Sequence, residues 1–157
     1  MKKNPMEVLP TEGLEAALEE TRPEKLNRFF RENEEALLSE EYLFSDYMKA
    51  VMNQKGITIS QALLKGRVDN IYGYRILSGE RRVKDRDIIL KICFGANFNL
   101  RETQRALQLG GYGKLYPRIR RDAAIIVAFN EGLNVDETNE LLQKYGEKPL
   151  SKSIKSK

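Results

Sequence analysis

Apolar and polar positions along this chain recur at helical spacing, and no stretch alternates with period two long enough to argue for a strand. The pattern predicts an all-α protein of short helices. Two weaker ones are expected first, over Glu12–Glu20 and Pro23–Glu35, the second with Leu26, Phe29, Phe30, Leu37 and Leu38 at helical intervals and Pro23 in its first turn. A stronger helix is expected from Glu41 to Gln54, with Leu43, Tyr47 and Val51 on one stripe and Gly56 as its stop. The run Thr58-Ile59-Ser60-Gln61 has the form of a capping box and opens a short helix to Lys65, ended by Gly66. Asp69 is a suitable N-cap for a helix over Asn70–Leu77 that stops at Ser78-Gly79. The next helix is predicted over Lys84–Gly95, with Asp85 and Asp87 in its first turn and Ile88, Ile89, Ile92 and Cys93 as its apolar face.

The same pattern then repeats at an offset of 35 residues. Arg86-Asp87, Phe94, Asn99, Glu102-Thr103, Leu107-Gln108 and Gly111 reappear as Arg121-Asp122, Phe129, Asn134, Glu137-Thr138, Leu142-Gln143 and Gly146, nine coincident identities. Each copy reads as an apolar helix, an Asn N-cap with Glu three residues later, and a short amphipathic helix closed by Gly. Two such hairpins side by side bury a shared face, but two copies are too few for a solenoid, so they are expected to pack onto the rest of the chain. The expected organisation is therefore an acidic N-terminal helical segment over residues 1–40, a body over 41–111, and a C-terminal helical hairpin over 112–157 ending in a disordered basic tail.

Composition narrows the chemistry. The chain has one cysteine and no histidine, which excludes an internal disulfide, Cys/His zinc sites and any imidazole base. Cys93, within IILKICF, is expected to be a buried apolar residue. No clustered carboxylates suggest a metal site, so neither metal nor cofactor is expected, and an enzyme is disfavoured. The N-terminal MKKNPMEVLP has no apolar stretch of the kind a signal peptide carries, and no run approaches the ~20 residues that span a bilayer. A cytoplasmic protein is expected. Charge is unevenly spread: residues 1–46 hold six Lys/Arg against twelve Asp/Glu (net −6), whereas residues 47–130 hold sixteen against six (net +10). A basic middle of this size suits a polyanion partner, through release of condensed counterions.

A short helix, a tight turn, a second short helix and a Ser-Gly-x-Arg close have the arithmetic of a helix-turn-helix. The residues Lys55-Gly56-Ile57-Thr58, Val68-Asp69, Ile76, Ser78-Gly79, Arg81-Arg82, Ile88–Phe94, Asn99-Leu100 and Leu107 occur in the order and spacing of a known family. Over Tyr47–Leu107 the chain resembles the lambda-repressor/Cro-like (XRE-type) DNA-binding domains of bacterial and phage regulators. The resemblance implies a recognition helix over about residues 69–78 in the major groove of duplex DNA, with Asn70, Ile71, Tyr74 and Arg75 facing the bases. Asn pairs with adenine, Arg with guanine, and Ile71 reaches a thymine methyl. Arg81, Arg82 and Lys84 are then phosphate anchors. Val68, Ile76 and Leu77 belong to the core, and Tyr72 to either the core edge or a phosphate contact.

Three positions depart from the family's pattern. Ile59 stands where a phosphate-contacting Gln is common, Arg67 takes the place of the turn glycine with Gly66 before it, and Gly73 replaces a core aliphatic. Tyr47 or Tyr72 is expected to fill the space at Gly73. A second basic cluster, Arg118, Arg120 and Arg121, either flanks DNA or clamps an acidic protein partner; in the plainer reading, Pro117 and Asp122 simply start the next helix. The implied function is a sequence-specific regulator binding double-stranded DNA as a homodimer. The alternative is a protein–protein adaptor that keeps the helix-turn-helix scaffold without DNA binding.

Overall fold

A computed structural model describes residues 11–34, 37 and 40–152. Residues 1–10 of the acidic segment and residues 153–157 of the basic tail lie outside the described residues. All regular structure in the described residues is helical. The chain divides into two units, Met1–Ser39 and Glu40–Lys157.

In the first unit, α1 runs over Thr11–Glu19, and a 3-10 turn at Pro23–Lys25 leads into α2, Leu26–Glu32. The single helix expected over Pro23–Glu35 is thus shorter and starts as a 3-10 turn. Lys25 leaves helical geometry at φ −106°, ψ 4°. At the other end, the side chain of Asn33 donates to the Phe29 carbonyl at 2.9 Å.

The second unit holds α3 (Glu40–Gln54), α4 (Ile59–Lys65), α5 (Asn70–Leu77), α6 (Arg86–Gly95), α7 (Leu100–Leu109), α8 (Arg120–Glu131) and α9 (Val135–Lys144). Caps set most of these boundaries. Thr58 Oγ1 accepts from the Gln61 N–H while the Gln61 side chain accepts from the Thr58 N–H, completing the capping box. Asp69 accepts from the Tyr72 N–H at 3.0 Å and starts α5. Asp85 is the N-cap of α6, accepting from the Asp87 N–H, so this helix begins two residues later than Lys84 and only Asp87 lies in its first turn. Pro117 is not at the start of α8 either: it sits in a turn closed by the Ile119 N–H donating to the Tyr116 carbonyl, and α8 begins at Arg120.

Helix α3 packs on α5 and α7, α4 on α5 and α6, and the α6–α7 and α8–α9 hairpins pack on each other. One apolar core runs through all of them, from Phe44 to Leu150. The two hairpins share their backbone course. Asn97 (φ 57°) and Gly132 (φ 69°) hold equivalent left-handed positions after α6 and α8, and Gly111 (φ 86°) and Gly146 (φ 73°) do so after α7 and α9. Both second helices start with a complete capping box, Asn99 with Glu102 and Asn134 with Glu137.

Their contacts are reciprocal. Arg86 makes a two-pronged ion pair with Asp122, and Arg121 makes the same pair with Asp87, the shorter bond being 2.7 Å in each. The Tyr116 N–H donates to Asp122 at 2.9 Å, and the Ser151 N–H, 35 residues on, donates to Asp87 at 3.0 Å. Phe94 and Phe129 stack on each other with centroids 3.8 Å apart. Residue i meeting j′ while j meets i′ is the signature of a local two-fold axis. The repeat also runs further than the nine identities: the N–H groups of Leu115 and Leu150 donate to the side chains of Gln104 and Asn139, both pairs 35 residues apart.

Candidate nucleic-acid interface

Helix α5 is eight residues long, and its cap sets the rotation of its faces. Tyr72, Gly73, Ile76 and Leu77 are buried, while Asn70, Ile71 and Tyr74 are exposed and Arg75 is half-buried. Tyr72 is therefore a core residue rather than a phosphate contact: it is 5% exposed, and its hydroxyl finds no hydrogen-bond partner among the described residues. The space at Gly73 is taken up from α4. A Cβ there would stand 2.3 Å from Leu63 Cδ2, so Leu63 of α4 occupies the space. The Tyr47 hydroxyl instead donates to the Glu102 carbonyl at 3.2 Å, and burial pushes its pKa up to about 12.

The turn between α4 and α5 explains the displaced glycine. Gly66 is buried with ordinary φ, and a Cβ on it would meet the Lys91 carbonyl oxygen at 2.5 Å. The glycine is needed there for close packing of α4 on α6. The left-handed turn position falls to Arg67 at φ 60°, whose guanidinium is held by Asp136 of α9 at 2.7 Å.

The seven positions expected to meet DNA are placed unequally. Asn70, Ile71 and Tyr74 share the outer stripe of α5 with Arg75 at its edge. Tyr74 is anchored, its hydroxyl sharing a 2.7 Å hydrogen bond with Ser60 of α4. Arg81 and Lys84 are exposed in the segment after α5. Arg82 is exposed but engaged: its guanidinium lies over Gly111, where a Cβ would stand 2.9 Å from Nη2.

Two residues outside the expected set belong to the same face. Leu64 is 77% exposed, and Ser60 carries the bond to Tyr74. Ser60 and Leu64 are one turn apart on α4, as Tyr74 and Ile71 are on α5, and taken in that order, starting from the Ser60–Tyr74 hydrogen bond, both steps run toward the connecting turn. Leu64, Ile71 and Tyr74 thus form one apolar line across the two helices. The adjacent Leu63-Leu64 was the available signal, since only one of two neighbouring leucines on a short helix can face its core.

The second basic cluster is largely spent within the chain. Arg121 is bound to Asp87 and to the carbonyls of Lys148 and Pro149, and Arg120 to Glu147 and the Tyr145 carbonyl. Arg118 is exposed. Cys93 is fully buried, and burial pushes its thiol pKa upward, as suits a packing residue. No helix among the described residues is long and apolar enough to cross a membrane. No protein-family model, curated protein or solved structure matches the chain.

Proposed function

We propose that the chain is a sequence-specific double-stranded DNA-binding regulator of the lambda-repressor/Cro-like kind, acting in the cytoplasm and without chemistry of its own. In this reading α4 and α5 are the helix-turn-helix and α5 enters the major groove. The observation that carries it is the sorting of α5: Asn70, Ile71 and Tyr74 point away from the core with half-buried Arg75 at their edge, and the cations Arg81 and Lys84 follow with no ion pair among the described residues. Asn70 and Arg75 supply base-edge hydrogen bonds, Ile71 meets a thymine methyl, and Arg81 and Lys84 hold phosphates. Arg82, packed over Gly111, contributes charge from a fixed position.

Selection from a random duplex library at low salt tests this reading. An enriched motif is expected, with affinity falling at a log–log slope of about −0.9 per neutralised phosphate. Arg75→Ala is expected to cost about 1–3 kcal/mol and relax one base position, while Arg81→Ala weakens all sequences alike. One observation favours the adaptor reading: Leu64, Ile71 and Tyr74 make an apolar line suited to a partner helix. Folded protein that enriches no motif would leave the adaptor, and Leu64→Asp would then abolish partner binding while sparing the fold.

A further inference from the structure

The local two-fold between the hairpins makes their outer faces comparable position by position. In the first copy Ile88, Ile89 and Ile92 of α6 and Ala106 of α7 are fully buried, because α4 lies on α6 and α3 on α7. The residues 35 positions on are Ala123, Ala124, Val127 and Leu141. These line an open groove of about 380 Å³. The outer stripe of α8 runs from Ile119 at its N-cap, which is 50% exposed, to Val127, which is 51% exposed, and Tyr145, just after α9, is 54% exposed. An apolar stripe at i, i+4 and i+8 on an exposed helix is the surface one helix offers another.

We propose that this α8–α9 face is a homodimer interface, on which a second copy of the chain seats the same face with the two α8 helices antiparallel. Charge argues for this occupant. The N-terminal end of α8 carries Arg118 and Arg120, and its C-terminal end carries Glu131. Antiparallel pairing sets the basic end of each helix against the acidic end of the other and opposes their dipoles. Parallel pairing would set arginine on arginine. The groove itself is lined by one arginine and one glutamate, Arg120 and Glu147, which already pair at 3.2 Å, so it offers no net charge to a strongly acidic or basic stranger. Side-chain sizes agree. Ile119 and Val127 are symmetrically spaced about Ala123, so an antiparallel crossing there sets Ile119 against Val127 of the other copy and alanine against alanine at the closest point. Such a contact is isologous and closes at two copies.

The inference does not require DNA binding, and its readout is taken without DNA, so the two readings fail separately. Sedimentation equilibrium of the full chain is expected to show a concentration-dependent dimer. Val127→Asp is expected to raise its dissociation constant at least about tenfold, with helicity unchanged and with melting unchanged at concentrations where both proteins are monomeric, because Val127 lies outside the core. Arg118→Glu weakens the dimer, and adding Glu131→Arg to it restores association, because each chain supplies both ends of the contact. A wild-type chain that stays monomeric at all concentrations overturns the proposal. So does a dimer indifferent to Val127→Asp, or one that the double exchange fails to restore.

Discussion

The α6–α7 and α8–α9 hairpins have one backbone plan and two environments. Among the residues they share are those that face the local two-fold or shape the backbone: the Arg-Asp pairs that cross it, Phe94 and Phe129 that stack across it, the Asn caps and their Glu partners, and left-handed Gly111 and Gly146. Among the residues that differ are several on the outer faces. Ile88 and Ile89, under α4, become Ala123 and Ala124, and exposed Arg101 and Arg105 on α7 become Asp136 and Glu140 on α9. A repeat thus preserves what its copies do to each other and gives up what only one copy needs.

Breaking the crossed ion pairs gives the largest expected effect. Asp122 has a side chain only 2% exposed and accepts both prongs of Arg86 plus the Tyr116 N–H. Asp122→Ala leaves a partly buried guanidinium and a backbone donor unpaired, at about 3–5 kcal/mol in urea unfolding. Asp87→Ala should cost less, because the Asp87 side chain is 12% exposed and water can re-enter. The acid limb follows the same contacts. Burial alone would raise the Asp122 pKa, but the hydrogen bonds from Arg86 and Tyr116 and the charges of Arg86 and Arg121 outweigh it, and the net shift is downward. A carboxylate depressed in the folded state contributes stability that is present above its unfolded pKa of about 3.9 and is lost as pH falls through the folded value. Unfolding midpoints measured between pH 7 and pH 2 should show this component in the wild type and lack it in Asp122→Ala.

Exchanging equivalent residues tests the outside faces. Gly95 is where α4 crosses α6: a Cβ there would stand 2.0 Å from the Ala62 carbonyl oxygen and 2.5 Å from the Gly66 nitrogen. Its counterpart in the second copy, Asn130, is exposed. Gly95→Asn should force the helices apart and cost about 3 kcal/mol, the upper end of overpacking. Asn130→Gly should cost no more than about 0.5–1 kcal/mol, the helix penalty of glycine. Equal losses at the two sites would show that α4 does not sit on α6 as described.

Much of this arrangement was legible where local chemistry decides it. Thr58 and Asp69 fix α4 and α5 to the residue because each cap has a single geometry, and the 35-residue offset was visible because caps and glycines recur with it. The outward turn of Asn70, Ile71 and Tyr74 also follows from helical period once Asp69 is the cap. What stayed illegible is tertiary. That Arg86 binds the aspartate of the other copy, that Leu63 fills the space at Gly73, and that Arg82 lies over Gly111 depend on how helices cross. Lys91 is the extreme case: buried in the middle of α6, it donates to the Ser151 carbonyl at 2.9 Å, a partner 60 residues away. Burial lowers its pKa, against the pull of Asp87 and Asp85.

The smallest effect sharpens the comparison most. Glu102 and Glu137 do the same work in their capping boxes, each accepting from the N–H of its Asn cap, at 2.9 and 3.0 Å. Among the described residues only Glu102 has a second partner: Lys55, at the end of α3, reaches it at 2.8 Å, with both side chains about a quarter exposed. Glu137→Ala should therefore cost the capping term alone, about 0.5–1 kcal/mol. Glu102→Ala should cost the same plus the ion pair, a further ~0.2–1 kcal/mol at low salt. Salt separates the two contributions, because a partly exposed ion pair is screened while a capping hydrogen bond between neighbouring residues is barely touched. Urea midpoints of both variants at low ionic strength and at about 1 M salt, where the Debye length is ~3 Å, should converge as salt rises. A gap that persists at high salt would mean that Glu102 is held by packing of α3 on α7 rather than by the charge of Lys55.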